Sequence, residues 1–258
     1  MYSESQPSID RKLLIEGLGK GLRVLECFSE DAPRLTATEA GQKAGLTRTA
    51  ARRYLLSLVH FGYAQTDGKH YWLLPRVLRI GQGYLESSRL PRLTQPFLQR
   101  FSMQTGETAN LGVLDGHEVV YLLRSNSPRV LSIGFHTGAR IAAHCSSVGH
   151  VMLGYLDSQQ LKAWIEAHDF SRFTPQTVTD HDAFAQTIHK TRQLGYSVVD
   201  QYANVGLSGI GVPLLDRKGR CVGGLSTTFQ NVAYPEESYL KKLLPVLQET
   251  ADQVRSVI

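Results

Sequence analysis

Cysteine is scarce in this chain: three in 258 residues, Cys27, Cys145 and Cys221, far apart and with no CxxC pair. An odd, scattered set argues against both a disulfide framework and a zinc ribbon, and predicts reduced, packed thiols. Long apolar runs are absent too: nothing approaches the roughly 20 residues of a membrane-spanning helix. The opening MYSESQPSIDRK lacks the basic start and apolar stretch of a secretory leader, so a cytoplasmic protein without a membrane partner is expected. No segment is compositionally biased, and 42% hydrophobic residues suffice for a core in one or two domains. Catalytic signatures are missing as well. GLSGI at 206–210 has Ile210 where a G-x-S-x-G nucleophile elbow needs glycine. His136, His144, Cys145 and His150 lack the paired spacing of metal ligands. The expectation is a protein that is no enzyme and holds no cofactor or metal.

What is present is an asymmetry of charge. Residues 1–92 hold 14 Lys/Arg against 9 Asp/Glu, whereas residues 93–258 hold 14 of each. Within residues 34–92 the ratio sharpens to ten against three, a local field that attracts a polyanion. A solvated basic face would give the same counts, so the residue pattern has to decide.

Leu14, Leu18, Leu22, Leu25 and Phe28 recur at spacings of three and four, which predicts an amphipathic helix between Leu13 and Ser29, begun or interrupted near Gly17–Gly21. Thr36 followed by Glu39 has the spacing of a capping box, starting a short helix that runs to about Ala44. Gly45 can end it in the left-handed conformation, and Thr47 can cap the next helix. That next helix puts Ala51, Tyr54, Leu55, Leu58 and Phe61 on one side and Thr49, Arg52, Arg53 and His60 on the other. Leu56 and Val59 do not fit a polar outer face and imply packing on something else. Two helices across a tight turn, the second fronted by arginine, form the pattern of a helix-turn-helix whose second helix enters the major groove. Asp67-Gly68 between two β-prone runs predicts a type I′ hairpin, the wing, with Lys69 and His70 near DNA. The candidate DNA-contacting residues are Thr36, Thr47, Arg48, Thr49, Arg52, Arg53 and Lys69.

Beyond Leu90 the chain alternates elements. Helices are expected over residues 91–105, 147–156, 159–167 and 182–194, and from Pro235 with Glu236 and Glu237 in its first turn. Strands are expected over 108–114, 119–123, 130–135, 197–200, 209–215 and 221–228, an α+β arrangement. Three segments, AAHCSSVGH (142–150), DQYANVGLSGIG (200–211) and GGLSTT (223–228), concentrate small and hydrogen-bonding residues. That suits either close strand packing or a site for a small anion at a helix start.

LTxTE at 35–39, GLxRxAARRxLLxL at 45–58 and LxPRVLxxGxxYLxS at 73–87 resemble the IclR-type transcriptional regulators, more narrowly the branch controlling breakdown of aromatic acids such as protocatechuate and 4-hydroxybenzoate. The resemblance implies a winged helix-turn-helix over 12–74, a linker helix over 75–89 and a GAF-like effector domain over 90–258. It also implies a homodimer or dimer of dimers on a palindromic double-stranded operator, sequence-specific in its binding and answering to a small organic acid. Carried over by position, the effector residues are Ser147, Val148, Asp200, Gly209, Ser226 and Thr228, with His144 and Ser146 as neighbours. The chain reads IAAHCSSVGHV and DQYAN where that branch usually has other residues, among them two acidic ones, so aliphatic 2-oxo or dicarboxylic acids stay open as effectors. A small-molecule-binding, enzyme-like module is the more distant alternative.

Overall fold

The computed structural model describes residues 9–125, 136–234 and 238–258. The expected strand over 130–135 and the helix start at Pro235–Glu237 lie outside the described residues. The chain divides into two compact units after Ser87.

In the first unit, helices α1 (Glu16–Glu26), α2 (Ala37–Ala44) and α3 (Arg48–His60) pack beside a small antiparallel sheet. Its strands β1 (Leu35–Thr36), β2 (Ala64–Thr66) and β3 (His70–Leu73) run in the order β1-β3-β2, and a further helix, α4 (Leu78–Ser87), follows. The local signals act as written. Thr36 and Glu39 close a capping box at the start of α2, Gly45 ends it at φ +65°, and the Thr47 hydroxyl accepts from the Ala50 amide at the start of α3. Val24, Ala40, Ala51 and Leu55 are fully buried between the three helices. Gly41 lets α2 meet the turn: a Cβ there would lie 2.9 Å from the Leu46 carbonyl oxygen.

Three details differ from expectation. The leucine stripe of α1 does not face the core, for Leu14, Leu18 and Leu22 are 50, 64 and 42% exposed. The helix instead presents Val24 inward and seats Gly17 and Gly21 against the Tyr54 ring, so absent side chains give the close approach. Phe61, assigned to the buried side of α3, is 60% exposed because the helix ends before it at His60. The hairpin is not type I′, since Gly68 has positive φ and Asp67 does not. Asp67 caps the turn with its side chain instead, accepting from the Lys69 and His70 amides at 2.9 and 2.7 Å.

The second unit opens with helix α5 (Arg89–Thr105) and is built on six strands. These are β4 (Thr108–Asp115), β5 (Glu118–Ser125), β6 (Arg140–Ala142), β7 (Ser197–Asp200), β8 (Leu207–Leu215) and β9 (Cys221–Gln230). All pair antiparallel in the order β6-β5-β4-β9-β8-β7. Helices α6 (Ser147–Leu153), α7 (Ser158–Ala167) and α8 (His181–Leu194) precede β7, and α9 (Tyr239–Lys242) and α10 (Leu244–Arg255) close the chain.

Alternation along the strands divides the side chains between two faces. Leu111, Ile210, Val212 and Leu225 join Leu98 and Phe101 of α5 and Leu247 and Val254 of α10 in one core. Residues of the opposite face, Val119 and Tyr121 among them, pack with Val148 and Leu153 of α6 and Phe184 and Ile188 of α8. The short β6 escapes a sequence reading because only three residues pair.

Candidate DNA-contacting face and effector site

Arg48, Thr49, Arg52 and Arg53 are all exposed along α3, as are Thr47 before it and Lys69 on the wing. Thr36 differs from these: its hydroxyl and amide are engaged by the Glu39 carboxylate at 2.8 and 2.7 Å, so its first task is to cap α2. At the wing, amides of His70 and Lys69 hold the Asp67 carboxyl down to about 2. The loop thereby keeps a fixed shape without burying anything. Arg34, which charge counting alone did not single out, lays its guanidinium 4.4 Å from the centre of the Trp72 ring beside this wing.

In the second unit the glycines prepare the site. A Cβ at Gly211 would lie 2.6 Å from the carbonyl carbon and oxygen of Ser147, and one at Gly224 would lie 3.0 Å from a Val148 methyl. The N-terminus of α6 can therefore rest directly on β8 and β9. Ser146 caps that helix, accepting from the Gly149 amide, and Ser146, Ser147 and Val148 are buried there. Gly209 stands opposite Thr228, and a Cβ on it would come within 3.4 Å of the Ser147 hydroxyl.

Cross-strand register completes the row. Asn110 on β4 is directly opposite Arg124 of β5 on one side and Ser226 of β9 on the other. Opposed residues share a face, and this one carries Gly112, whose Cβ would meet Val148 of α6. Arg124, Asn110 and Ser226 thus form a polar line under the start of α6. Tyr121, buried in the same region, brings its hydroxyl near Ser146 and Ser226, and burial pushes its pKa up. The amide oxygen of Asn110 is buried without a hydrogen-bond partner, and desolvation lowers the Arg124 pKa. Arg124, Asn110 and Tyr121 were not among the expected residues. An arginine or asparagine near one end of an otherwise apolar strand, as in VVYLLR and TANLGVL, was the available signal.

Two expected residues sit elsewhere. Asp200 pairs with Ser208, one residue out of phase with Gly209, so its side chain turns to the other face. There its carboxylate accepts from the Ser208 hydroxyl at 2.5 Å and the Asn231 amide at 2.8 Å. His144 is fully buried and uses both ring nitrogens inside the protein, with the Ser171 carbonyl at 3.0 Å and His168 at 2.7 Å. Among the described residues no group of three or more His, Cys, Asp or Glu could hold a metal ion, and no helix is long and apolar enough to cross a membrane.

A winged helix-turn-helix carrying an exposed arginine row, on one chain with a sheet domain that buries a polar line beneath a helix start, defines a DNA-binding protein with a ligand-sensing domain. Residues 17–68 match the IclR helix-turn-helix domain and residues 82–256 the C-terminal domain of bacterial IclR transcriptional regulators. This chain belongs to the IclR family of transcriptional regulators.

Among its relatives is the p-hydroxybenzoate hydroxylase transcriptional activator of Acinetobacter baylyi, 38% identical over 262 residues, covering 100% of this chain and 97% of the relative. The Pca operon regulatory protein of the same organism is 32% identical over 260 residues, covering 99% and 94%. Of solved structures, the inducer-binding domain of the Acinetobacter PobR transcription factor, a double mutant in complex with 3-hydroxybenzoic acid, is 34% identical with a TM-score of 0.63. That match covers 66% of this chain and 100% of the domain. An IclR family regulator from Brucella abortus, at 20% identity, shares the fold with a TM-score of 0.83 over 99% and 97% of the two chains.

Proposed function

We propose that this regulator answers to a small aromatic hydroxy acid held in the second unit, and that it works as a transcription factor rather than an enzyme, in the cytoplasm. The observation that carries the reading is the line Arg124–Asn110–Ser226 on the face of the sheet toward Ser146 and Ser147. A carboxylate suits it, because a buried amide, serine hydroxyls and a nearby arginine charge together favour an anion that the apolar surroundings would otherwise exclude. Val148, Gly209 and Thr228 would border the ring, Ser147 and Ser226 would donate to oxygens, and His144 would brace the Ser146 cap. Asp200, on the other face, is left to secure the end of β7. The 3-hydroxybenzoic acid held by the Acinetobacter PobR inducer-binding domain, and the p-hydroxybenzoate in the name of the 38% identical relative, support an aromatic acid as the effector class.

The first unit, taken as 12–74, would lay α3 in the major groove with Arg48, Thr49, Arg52 and Arg53 at base edges and phosphates, and Lys69 on the flanking backbone. Thr47 and Thr36 would support these through the helix starts. Self-association as a dimer or dimer of dimers on a palindromic site fits the apolar surface the unit leaves open, Leu14 with Leu18 and Leu22 of α1 and Leu78, Ile80 and Leu85 of the linker helix over 75–89.

Calorimetry of the full chain with 4-hydroxybenzoate, protocatechuate, 3-hydroxybenzoate and the aliphatic acids adipate and 2-oxoglutarate tests the effector. Binding by a hydroxybenzoate, weakened about a hundredfold in Arg124→Leu, is expected. Heat only from the aliphatic acids would replace the aromatic reading, and unchanged affinity in a Ser147→Ala/Ser226→Ala double variant would remove those hydroxyls from the site.

A further inference from the structure

The recognition helix α3 ends in a Schellman motif: the Tyr63 amide reaches the Leu58 carbonyl at 2.8 Å, the Gly62 amide reaches Val59 at 3.0 Å, and Gly62 takes φ +76°. That leaves the Phe61 carbonyl at the negative end of the helix dipole. Arg76, in the first turn of the linker, donates to it from Nη1 at 2.6 Å. Its guanidinium carbon lies 5.9 Å from the centre of the Tyr63 ring, and a Cβ on Gly62 would lie 3.0 Å from the same Nη1. The Leu74 amide bonds the Tyr63 carbonyl alongside. By contrast, α4 buries none of its residues. Within one chain, packing therefore does little to aim the linker, and its first turn is where it is tied to the helix.

We propose that Arg76 is a positioning residue that locks the start of the linker to the C-terminus of the recognition helix, so that the direction in which the linker leaves sets how that helix presents its arginines to DNA. The consequence for DNA rests on the function proposed above, while the lock itself rests on the Phe61 contact. A helix held at its end by a side chain of the connecting segment is a short mechanical route for an effector-driven change to reach the groove, with no contact between Arg76 and the nucleic acid.

The experiment uses the full chain and a duplex selected for tight binding by the parent, titrated at several salt concentrations with and without 4-hydroxybenzoate. Arg76→Ala should bind about tenfold more weakly, with the slope of log affinity against log salt unchanged, and any effector-linked change in affinity should shrink toward none. Arg76→Lys, which keeps the charge and one donor, should recover most of the loss. A slope reduced by about one would make Arg76 a phosphate contact instead, and parent-like affinity in Arg76→Ala would overturn the proposal. Hydrogen exchange of the free protein gives a readout independent of DNA: amides at 62–63 and at 77–78 should lose protection together in Arg76→Ala while those of α2 do not. Unchanged exchange at both would sink the lock. A parent that binds no duplex at any salt would refute the DNA-binding reading, and exchange would still decide the lock.

Discussion

His168 and His144 are joined by a hydrogen bond of 2.7 Å, between Nε2 of the first and Nδ1 of the second. Which one donates is settled by neighbours. His144 must give its Nε2 proton to the Ser171 carbonyl, so its Nδ1 accepts from His168. The Nδ1 of His168 then accepts from His117 at 3.1 Å. His150 donates to the His144 carbonyl at 2.9 Å and accepts from the Ser197 hydroxyl at 3.0 Å. Burial keeps the rings of His144, His150 and His168 neutral in the fold, and protonating any of them would put two donors or an unpaired charge inside it.

Stability should therefore fall in acid. Burial lowers the pKa of His150 to about 4, and burial with the neighbouring His144 and His117 lowers that of His168 to about 4, opposed by Asp169. Unfolded histidines titrate near 6.5, so between about 6.5 and 4 the unfolded chain binds more protons and stability rises with pH. The contribution is intact above about 6.5 and is lost as the pH drops through that window, on the order of 3 kcal/mol for fully buried His150. Thermal unfolding from pH 8 to 4.5 checks this. A melting temperature no more pH-dependent in the parent than in a His150→Gln, His168→Gln variant would refute it.

Arg52→Ala should weaken binding to the duplex by roughly 1–3 kcal/mol if it reads a base, or lower the salt slope by about one if it holds a phosphate. Because Arg52 is exposed on α3, its removal should leave the melting temperature and effector affinity where they were. Anisotropy titrations at several salt concentrations distinguish the two roles, and equal affinity throughout would take Arg52 out of the contact set.

Gly211→Ala should be severe in the second unit. Its Cβ would arrive 2.6 Å from backbone atoms of Ser147, which cannot move without lifting the start of α6 from the sheet. A loss of about 1–3 kcal/mol, together with loss of effector affinity, is the expected result by denaturant melts and calorimetry. A variant that melts and binds like the parent would show that α6 is not seated as described.

The two glycines of the helix-turn-helix should respond differently. Gly45→Ala meets no atom within 4 Å and costs only the left-handed backbone, about 1 kcal/mol. Gly41→Ala would press on the Leu46 carbonyl at 2.9 Å and shift α3 relative to α2. DNA affinity should thus drop more in Gly41→Ala than in Gly45→Ala, and the reverse order in a binding titration would contradict the account of the turn.

Residue pattern alone determined the elements whose causes are local. Thr36 with Glu39, Thr47, Gly45 and the alternation of β8 and β9 act within a few residues of themselves, and Arg52 and Arg53 of α3 are exposed because their spacing turns them away from Ala51 and Leu55. Tertiary structure decided the rest. The leucines of α1 look like a core stripe until Gly17 and Gly21 are seen to take the inner side, and Asp200 looks like a neighbour of Ser226 until register turns it to the other face. Asn110 and Arg124 share a line with Ser226 only because β9, about a hundred residues further along the chain, pairs with β4 beside β5. Caps and turns depend on short-range hydrogen bonds and one or two dihedral angles, whereas which side chains meet depends on how distant strands align, and no stretch of sequence carries that by itself.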